Sequence, residues 1–401
     1  MAEETQKNRV LHITEELSAA GIESFIMNIY RRIDRTKVQF DFLVMRDTKE
    51  YYEEEILSMG GRKFCIEQSG NNLISKIQKE SRQIEAFLKE HPYKVVHIHC
   101  TTPMRAPYLQ AAANAGVPVR IYHSHSAYVS GKNPAKLAIY KYYKSVISKY
   151  ATHFFACSHA ASEWMFQKSV IEKNRDRIIH NGIDTGKFRF ESKLRDAIRK
   201  EFNITDETIY VHAGRFCEQK NQLFILSVFQ EIRKTNQKSK LIFLGNGPMF
   251  SEVKSEAEKC GLGSDVILAG VRNDINAFLS AADVYLMPSL YEGLPVAAVE
   301  AQCAGLPCFL SENITKEVAL TDRVFFHSLS DGAKNWADTI ATALHTSENG
   351  SDTENTGFAS TDGRETYADI VKSRNYDVAD VSRSMEEFYL GCFGKENSGD
   401  E

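Results

Sequence analysis

The chain has 401 residues and a formal net charge of −4, with 43% hydrophobic and 25% charged residues. These values are ordinary for a soluble globular protein, and the small net charge argues against a nucleic-acid partner. The length exceeds what one hydrophobic core usually covers, so it favours two domains of roughly 150 to 200 residues each.

The cysteine pattern and the N-terminal residues predict the cellular compartment of the protein. All eight cysteines occur singly, without a C-x-x-C pair, which is typical of reduced cysteines in a cytosolic protein. Residues 1–7 are polar and lack the apolar centre of a signal peptide, and no stretch reaches the roughly 20 apolar residues of a membrane span. We therefore expect a cytoplasmic protein whose membrane contacts, where it makes them, are peripheral.

Short β-rich runs alternate with longer helical patterns, which predicts parallel sheets with crossover helices. In the first half, helices are predicted at residues 74–90 and 136–150, and strands at 10–13, 38–45, 95–99, 120–123, 154–156 and 178–180. The turn sequence at 181–184 is typical of an exit from a domain.

The second half repeats the alternation. Strands are predicted at residues 209–213, 241–244, 266–268, 284–287 and 308–310. The polar stretch 346–365 predicts a surface loop, and residues 394–401 predict a disordered tail. The predicted fold is therefore α/β with two doubly wound, Rossmann-like domains, residues 1–186 and 187–376, the first joined by a helix at 377–393.

The most specific segment runs from residue 288 to residue 300, between a predicted strand and a predicted helix. Gly293 permits a sharp turn, Pro295 suits a first helical turn, and the N–H groups beyond it can face an anion. Glu292 and Glu300 can accept hydrogen bonds from sugar or ribose hydroxyls. The alternative is that Glu292 caps the helix and Glu300 is a solvated helix residue.

A second cluster follows the strand predicted at 209–213. Ligands of open α/β sheets bind beyond the carboxyl ends of strands, and there Arg215 and Lys220 could clamp a diphosphate, or form an ordinary solvated basic loop. Gly245 and Gly247 form a turn after the next strand. Val271, after a further strand, could present backbone groups to a base, although a plain turn explains it equally well.

In the first half, Gly21 follows a strand and opens a helix, where its backbone could approach a ligand. The alternative is a simple helix start, with Glu23 complementing the helix dipole. His123 and His125 follow another strand and could donate a hydrogen bond or act as acid or base. A structural role is the alternative, because strand ends also carry His12, His97, His99 and His180.

Five motifs, in order over residues 8–345, together resemble the retaining, metal-independent glycosyltransferases of the GT-B class. The motifs are Ala20-Gly21-Ile22-Glu23, Asn181-Gly182-Ile183-Asp184, Gly214-Arg215-x4-Lys220-Asn221, Gly245-Asn246-Gly247-Pro248 and Glu292-Gly293-Leu294-Pro295-x4-Glu300. The nearest likeness is to bacterial hexosyltransferases that build exopolysaccharide or capsule repeat units. Ala20 departs from the pattern, because the family usually has glycine there.

The resemblance implies a GT-B fold, with an acceptor domain and a nucleotide-sugar donor domain facing across a cleft. It implies transfer of a sugar, from a donor such as a UDP-sugar, to a glycan or a lipid-linked saccharide, without a metal or a cofactor. The sequence agrees in having no Asp-x-Asp pair.

The same resemblance implies roles for single residues. Arg215 and Lys220 hold the donor pyrophosphate, Glu300 binds the ribose, and Glu292 contacts the transferred sugar. A strand-end histidine lies near the reacting carbon; His123 fits this role best and His125 second. The implied catalytic residues are His123, Glu292, Arg215 and Lys220, and the implied donor-binding residues are Gly21, Arg215, Lys220, Gly245, Gly247, Val271, Glu292, Gly293, Leu294, Pro295, Val296 and Glu300.

Two other functions fit the same motifs. One is a sugar-nucleotide epimerase on the same architecture, which would use the same diphosphate clamp; release of free nucleotide only in the presence of an acceptor separates a transferase from it. The other is a non-catalytic sugar-nucleotide-binding subunit, against which the intact set Arg215, Lys220, Glu292 and Glu300 argues.

The first half also carries a basic stretch, since no acidic residue occurs between Glu90 and Glu163. Residues 132–150 interleave lysines with tyrosines in a predicted helix, as an interfacial segment does. We expect peripheral association with the inner face of a membrane, where a lipid-linked acceptor would be met. The alternatives are a solvated helix with inward-packed tyrosines, or a basic groove for a soluble phosphorylated acceptor.

Overall fold

The computed structural model describes residues 8–18, 21–46, 50–66, 72–126, 134–345 and 361–394. They fold as two compact units, residues 1–182 with 378–401, and residues 183–377. The first boundary lies at residue 182 instead of the predicted 186, because Ile183 already pairs with Asp377 and donates its N–H to the Tyr376 carbonyl at 2.8 Å. The two ends of the second unit therefore close on each other.

Unit 1 is built on a seven-stranded parallel sheet with the order β3-β2-β1-β4-β5-β6-β7. Its strands are β1 Arg9–Ile13, β2 Gln39–Val44, β3 Arg62–Cys65, β4 Val95–Cys100, β5 Val119–Ser124, β6 His153–Ala156 and β7 Asp176–Ile178. Its helices include α1 Gly21–Tyr30, α2 Glu53–Ser58, α3 Leu73–Glu90, α4 Pro107–Asn114, α5 Pro134–Tyr150, α6 His159–Met165 and α7 Lys168–Ile171. β4 is buried at every position, as expected for a parallel strand covered on both faces.

Unit 2 repeats the arrangement in a six-stranded parallel sheet with the order β10-β9-β8-β11-β12-β13. Its strands are β8 Thr208–Ala213, β9 Ser239–Leu244, β10 Val266–Gly270, β11 Val284–Met287, β12 Cys308–Ser311 and β13 Val324–His327. Its helices include α8 Ser192–Glu201, α9 Gln222–Thr235, α10 Phe250–Lys259, α11 Ile275–Ala281, α12 Val296–Cys303, α13 Gly332–His345 and α14 Tyr367–Val371. In each unit the strand order reverses beside the first strand, which is where ligands of doubly wound sheets bind. The prediction of two Rossmann-like α/β domains is confirmed.

The chain then returns to unit 1 through α15, Val378–Gly394. Its residues Val381, Met385, Tyr389 and Phe393, spaced by four, are buried in the core that contains Phe40. This spacing places one side of the helix against the sheet. Of the predicted tail, Gly394 belongs to α15 and residues 395–401 lie outside the described residues.

The prediction of a surface loop at residues 346–365 is wrong at its end, while residues 346–360 lie outside the described residues. Arg364 is only 2% exposed. Its guanidinium donates to three backbone carbonyls that terminate α11 and α12, those of Leu279, Ala282 and Ala304, at 2.9–3.0 Å. A cation here satisfies carbonyls that have no partner within their own helices.

Candidate functional site

In unit 2, the loops that follow β8 and β11 are hydrogen-bonded to each other at the point where the strand order reverses. Leu290 N–H donates to the Gln219 carbonyl at 2.8 Å, and the Asn221 amide donates to the Pro288 carbonyl at 3.2 Å. Asn221 adopts a left-handed conformation with φ of 56°, which turns the chain directly into α9. The two loops, residues 214–221 and 288–295, thus form one connected surface beyond the ends of the strands, which we call the loop surface.

Lys220 and Glu292 contact each other on this loop surface. The Lys220 Nζ lies 2.7 Å from Glu292 Oε1, and their side chains are 17% and 10% exposed. The resemblance assigned Lys220 to the donor pyrophosphate and Glu292 to the transferred sugar, and the structure joins the two side chains as an ion pair. Glu292 does not cap α12, so that alternative is wrong: residue 295 is the N-cap, and no side chain caps the helix.

Arg215 differs from Lys220 in having no partner for its guanidinium among the described residues. Its side chain is exposed, while its backbone carbonyl accepts a 2.9 Å hydrogen bond from the Gln222 amide. The backbone of the loop is therefore fixed, and the charged end of Arg215 is available for an anion.

Gly245 and Gly247 pack directly against this loop. A Cβ on Gly245 would lie 2.2 Å from the Gly214 carbonyl oxygen, and one on Gly247 would lie 2.3 Å from that of Phe216. Gly245 also has a φ of +128°, a conformation that side chains disfavour. These glycines allow two backbone segments to approach closely, so they shape the loop that carries Arg215.

The loop after β11 leads into α12. Pro295 precedes the helix as its N-cap instead of lying in the predicted first turn, because α12 begins at Val296. Glu300, one turn further along, is half-buried, and its carboxyl has no hydrogen-bond partner among the described residues. Burial raises the pKa of Glu300 to about 8, and the charge of Lys187 opposes this rise. Glu300 is therefore not simply a solvated helix residue.

The remaining predicted donor residues lie around these elements. Gly293 is half-buried and Leu294 is buried, between the loop after β11 and α12. Val271 follows β10 and is 76% exposed. The uncapped N–H groups at the start of α12 complete an arrangement that can bind an anion.

In unit 1, Gly21 is the first residue of α1, and an added Cβ would meet nothing within 4 Å. Residues 19 and 20, and therefore Ala20, lie outside the described residues. The sequence indicated only that Glu23 complements the helix dipole, and its burial was missed. In the structure Glu23 is 5% exposed and accepts a 3.0 Å hydrogen bond from Thr14 Oγ1. Burial raises the pKa of Glu23 to about 7. The sequence signal that could have indicated this carboxyl is its position directly after the glycine turn that follows a strand.

Five histidines on β1, β4 and β5, or just beyond them, form two hydrogen-bonded ladders in unit 1. In the first ladder, the Tyr389 hydroxyl lies 2.7 Å from His97 Nδ1, and His97 Nε2 lies 3.2 Å from His123 Nδ1. In the second, His99 joins the other two, with His12 Nδ1 3.0 Å from His99 Nε2 and His99 Nδ1 2.9 Å from His125 Nε2. The candidates His123 and His125 thus end different ladders.

Burial keeps these histidines neutral. It lowers the pKa of His12 and His125 to about 3, and the pKa of His97, His99 and His123 well below the usual value. Ring nitrogens of His12, His97 and His99, and of His99, His123 and His125, lie within 4.8 Å of one another. Within the first group His12 Nδ1 and His99 Nε2 already share a hydrogen bond, and within the second His99 Nδ1 and His125 Nε2 do, so an ion bound through these nitrogens would displace those bonds.

The lysine-rich and tyrosine-rich helix is α5, while Lys132 lies outside the described residues. Tyr140 is buried and packs edge-to-face on Trp164, as the inward-packing alternative expects. Tyr142, however, is 64% exposed, and Leu137 and Ile139 are exposed as well. Among the described residues, no helix combines the length and hydrophobicity needed to span a membrane.

Two Rossmann-like domains, together with the matches to known proteins, identify the chain as a glycosyltransferase of the GT-B type. The chain belongs to the family Glycosyl transferases group 1, which it matches over residues 195–357, and residues 19–187 match Glycosyltransferase Family 4. It is 36% identical over 348 residues to EpsF of Bacillus subtilis, named as a glycosyltransferase, covering 84% of this chain and 88% of EpsF.

Two further proteins extend the comparison. An Escherichia coli protein, named UDP-Gal:alpha-D-GlcNAc-diphosphoundecaprenol alpha-1,3-galactosyltransferase, is 25% identical over 315 residues, 76% of this chain and 79% of that protein. The crystal structure of Anabaena Alr3699/HepE in complex with UDP matches with a TM-score of 0.72 and 14% identity, covering 96% of this chain and all of that one. This last likeness shows the fold alone.

Proposed function

We propose that this glycosyltransferase moves a sugar from a UDP-sugar to a glycan or lipid-linked saccharide acceptor, with retention and without a metal, during assembly of exopolysaccharide or capsule. The observation that carries the proposal is the Lys220–Glu292 pair, 2.7 Å apart beside the uncapped start of α12. The UDP complex of HepE supports the nucleotide, and the name of the E. coli relative supports both a UDP-sugar and a lipid-linked acceptor.

In this proposal, the guanidinium of Arg215 and the ammonium of Lys220 bind the two phosphates of the donor. Lys220 remains in contact with Glu292, so the ion pair holds the ammonium in place before the donor arrives. Preorganised cations stabilise the charge that develops on a departing diphosphate, and they cost little rearrangement at the moment of reaction.

The carboxyl groups of Glu292 and Glu300 bind the hydroxyl groups of the donor. The second oxygen of Glu292 accepts from the transferred sugar, and Glu300 bonds the ribose from inside α12. His123 of unit 1 contacts the sugar near the reacting carbon. The proposed chemistry uses positioning and charge stabilisation, with attack on the face that the diphosphate leaves and no covalent nucleophile.

The first experiment identifies the donor and separates the three functions. A panel of nucleotide sugars is screened for the one that most raises the melting temperature, since a ligand of the native state stabilises it. That donor is then incubated with and without saccharide acceptors. Release of free nucleotide only with an acceptor supports a transferase. Conversion of the sugar without an acceptor indicates an epimerase, and binding without either reaction indicates a non-catalytic subunit.

The proposal places the enzyme at the inner face of a membrane through α5, whose exposed side carries Leu137, Ile139 and Tyr142. Each basic residue near an anionic leaflet contributes about 1 kcal/mol. The test is flotation with anionic liposomes at low salt, comparing wild type with Gln at Lys136, Lys141, Lys144 and Lys149. A charge-matched control carries Gln at the exposed unit 2 lysines Lys193, Lys200, Lys254 and Lys259. Equal recovery of all three proteins refutes the membrane site.

A further inference from the structure

A buried histidine of unit 2 lies directly beneath the loop surface. His212 is the fifth residue of β8, two positions before Gly214, and is 0% exposed. Its Nδ1 lies 2.8 Å from the Leu286 carbonyl oxygen, and its Nε2 has no hydrogen-bond partner among the described residues. Neither nitrogen has a role in the donor site proposed so far.

The Leu286 carbonyl fixes which nitrogen of His212 carries the proton. A carbonyl oxygen only accepts, so Nδ1 donates, and a neutral imidazole carries just one N–H. Burial lowers the pKa of His212 to about 4, so the ring is neutral near pH 7. The other tautomer would turn a lone pair towards the carbonyl oxygen and also leave the Nε2–H unpaired, which costs two interactions. Nε2 of His212 is therefore a buried acceptor.

The side chain of Lys220 lies against this acceptor. A Cβ on Gly214 would lie 3.2 Å from His212 Nε2, and 3.4 Å and 3.5 Å from Cε and Cδ of Lys220. The edge of the imidazole and the lysine stem thus converge on the same side of Gly214, where the missing side chain leaves room for both. The charge of Lys220 also acts on the ring, because it adds to the lowering of the pKa of His212.

The ammonium of Lys220 has N–H groups to spare. It carries three, and Glu292 Oε1, 2.7 Å away, accepts one of them. A buried acceptor without a donor is costly, and here it lies beside a donor with unused capacity. The ammonium is one bond beyond Cε, so rotation about the Cδ–Cε bond moves it towards His212 Nε2.

We infer that His212 is a positioning residue for Lys220: its Nε2 accepts one N–H of the ammonium and holds that cation at the diphosphate while hydroxyls of the sugar engage Glu292. The diphosphate and the sugar rest on the proposed function, whereas the contact between His212 and Lys220 does not. His212 acts through Lys220 and touches no atom of the donor itself.

The first test measures this contact without any substrate. Urea unfolding of unit 2 is followed through the buried Trp336, in a Trp164→Phe background. The variants are His212→Asn, Lys220→Met and the double variant. Asn keeps a donor for the Leu286 carbonyl and removes the acceptor, while Met keeps an unbranched stem and removes the ammonium. We expect the double variant to lose less of its urea midpoint than the two single variants together, and additive losses overturn the inference.

A matched control uses another lysine of unit 2. The Lys316 ammonium lies 3.5 Å from the centroid of the Phe326 ring, and its charge acts on His327 of β13. Lys316→Met combined with His212→Asn should therefore give additive losses. Coupling of the same size in this control pair also overturns the inference.

The second test measures transfer and therefore depends on the proposed function. The kcat/KM for the donor should fall about tenfold in His212→Asn, the scale of one hydrogen bond to a charged group, and should fall no further when Lys220→Met is already present. His212→Gln, which places an amide oxygen at the position of Nε2, should recover part of the loss. A folded His212→Asn variant with near wild-type kcat/KM overturns the positioning role. If no sugar is transferred at all, the proposed function fails while the urea measurements still decide.

If His212→Asn does not fold, the tautomer of His212 in the wild type decides. Two-bond proton–nitrogen correlation spectra of full-length protein labelled with 15N-histidine identify the protonated nitrogen of each ring. Nδ1–H at His212 supports an acceptor that faces Lys220. Nε2–H leaves no acceptor there and overturns the inference.

Discussion

Replacing Arg215 or Lys220 by Ala should abolish most activity in both cases but destabilise the protein in only one. Each change removes one cationic contact to the departing diphosphate, so turnover should fall by about two to three orders of magnitude. Arg215 has an exposed side chain without a partner among the described residues, so its loss should change the free energy of unfolding by less than about 0.5 kcal/mol.

Lys220 should behave differently, because its removal breaks a 2.7 Å charged hydrogen bond to Glu292. Such bonds contribute about 1.5–3 kcal/mol, and Glu292, with a side chain 10% exposed, would keep a poorly solvated charge. We therefore expect Lys220→Ala to lower the free energy of unfolding by about 2–3 kcal/mol. The double change Lys220→Ala with Glu292→Ala should cost less than the sum of the two single changes.

The unfolding of unit 2 can be measured separately from that of unit 1. The chain has two tryptophans, Trp164 in unit 1 and the buried Trp336 in unit 2, so in a Trp164→Phe background the fluorescence reports unit 2 alone. Urea unfolding is measured in this background, and turnover in the natural sequence. Equal stability of the Arg215→Ala and Lys220→Ala variants would refute the ion pair as a stabilising contact. Near wild-type transfer by either folded variant would refute the diphosphate assignment.

Three further outcomes are expected. Burial raises the pKa of Glu300 to about 8 from an ordinary 4.5, so the native state loses stability as the pH rises from about 4.5 through 8. Glu300→Gln should therefore raise the melting temperature more at pH 9 than at pH 6. An equal shift in melting temperature at the two pH values contradicts the burial argument. Gly247→Ala should lower the free energy of unfolding by about 1–3 kcal/mol in urea, whereas Gly21→Ala, where a Cβ meets nothing, should leave it nearly unchanged. Transfer should persist in excess chelator, and a complete loss that manganese reverses would refute the metal-independent mechanism.

The sequence allowed the fold to be predicted because buried parallel strands are dense in β-branched and aromatic residues. The two strands it missed, β3 and β13, lie at the edges of their sheets and are half-buried or exposed. β3 begins with Arg62 and Lys63, so its hydrophobic pattern is weak, as is common for an edge strand. β13 reads Val-Phe-Phe-His, so its apolar run was present in the sequence but was not assigned to a strand.

The site was predicted as separate motifs, but the pairing of its residues was not. Lys220 and Glu292 are 72 residues apart, and they meet because β8 and β11 are neighbours in the sheet. His97 and Tyr389 are 292 residues apart, joined by the return of α15 to unit 1. Local spacing carries no information about such contacts, because strand order sets them.

The return of α15 also has a consequence for synthesis. Unit 2 is continuous from Ile183 to Asp377, so it can fold as soon as that segment has left the ribosome. Unit 1 is translated first, yet its core lacks Val381, Met385, Tyr389 and Phe393 until α15 has emerged. Domains generally fold as units, in the order of their synthesis. The domain made first is therefore completed last, because the part of its core that α15 supplies is translated after the whole of unit 2.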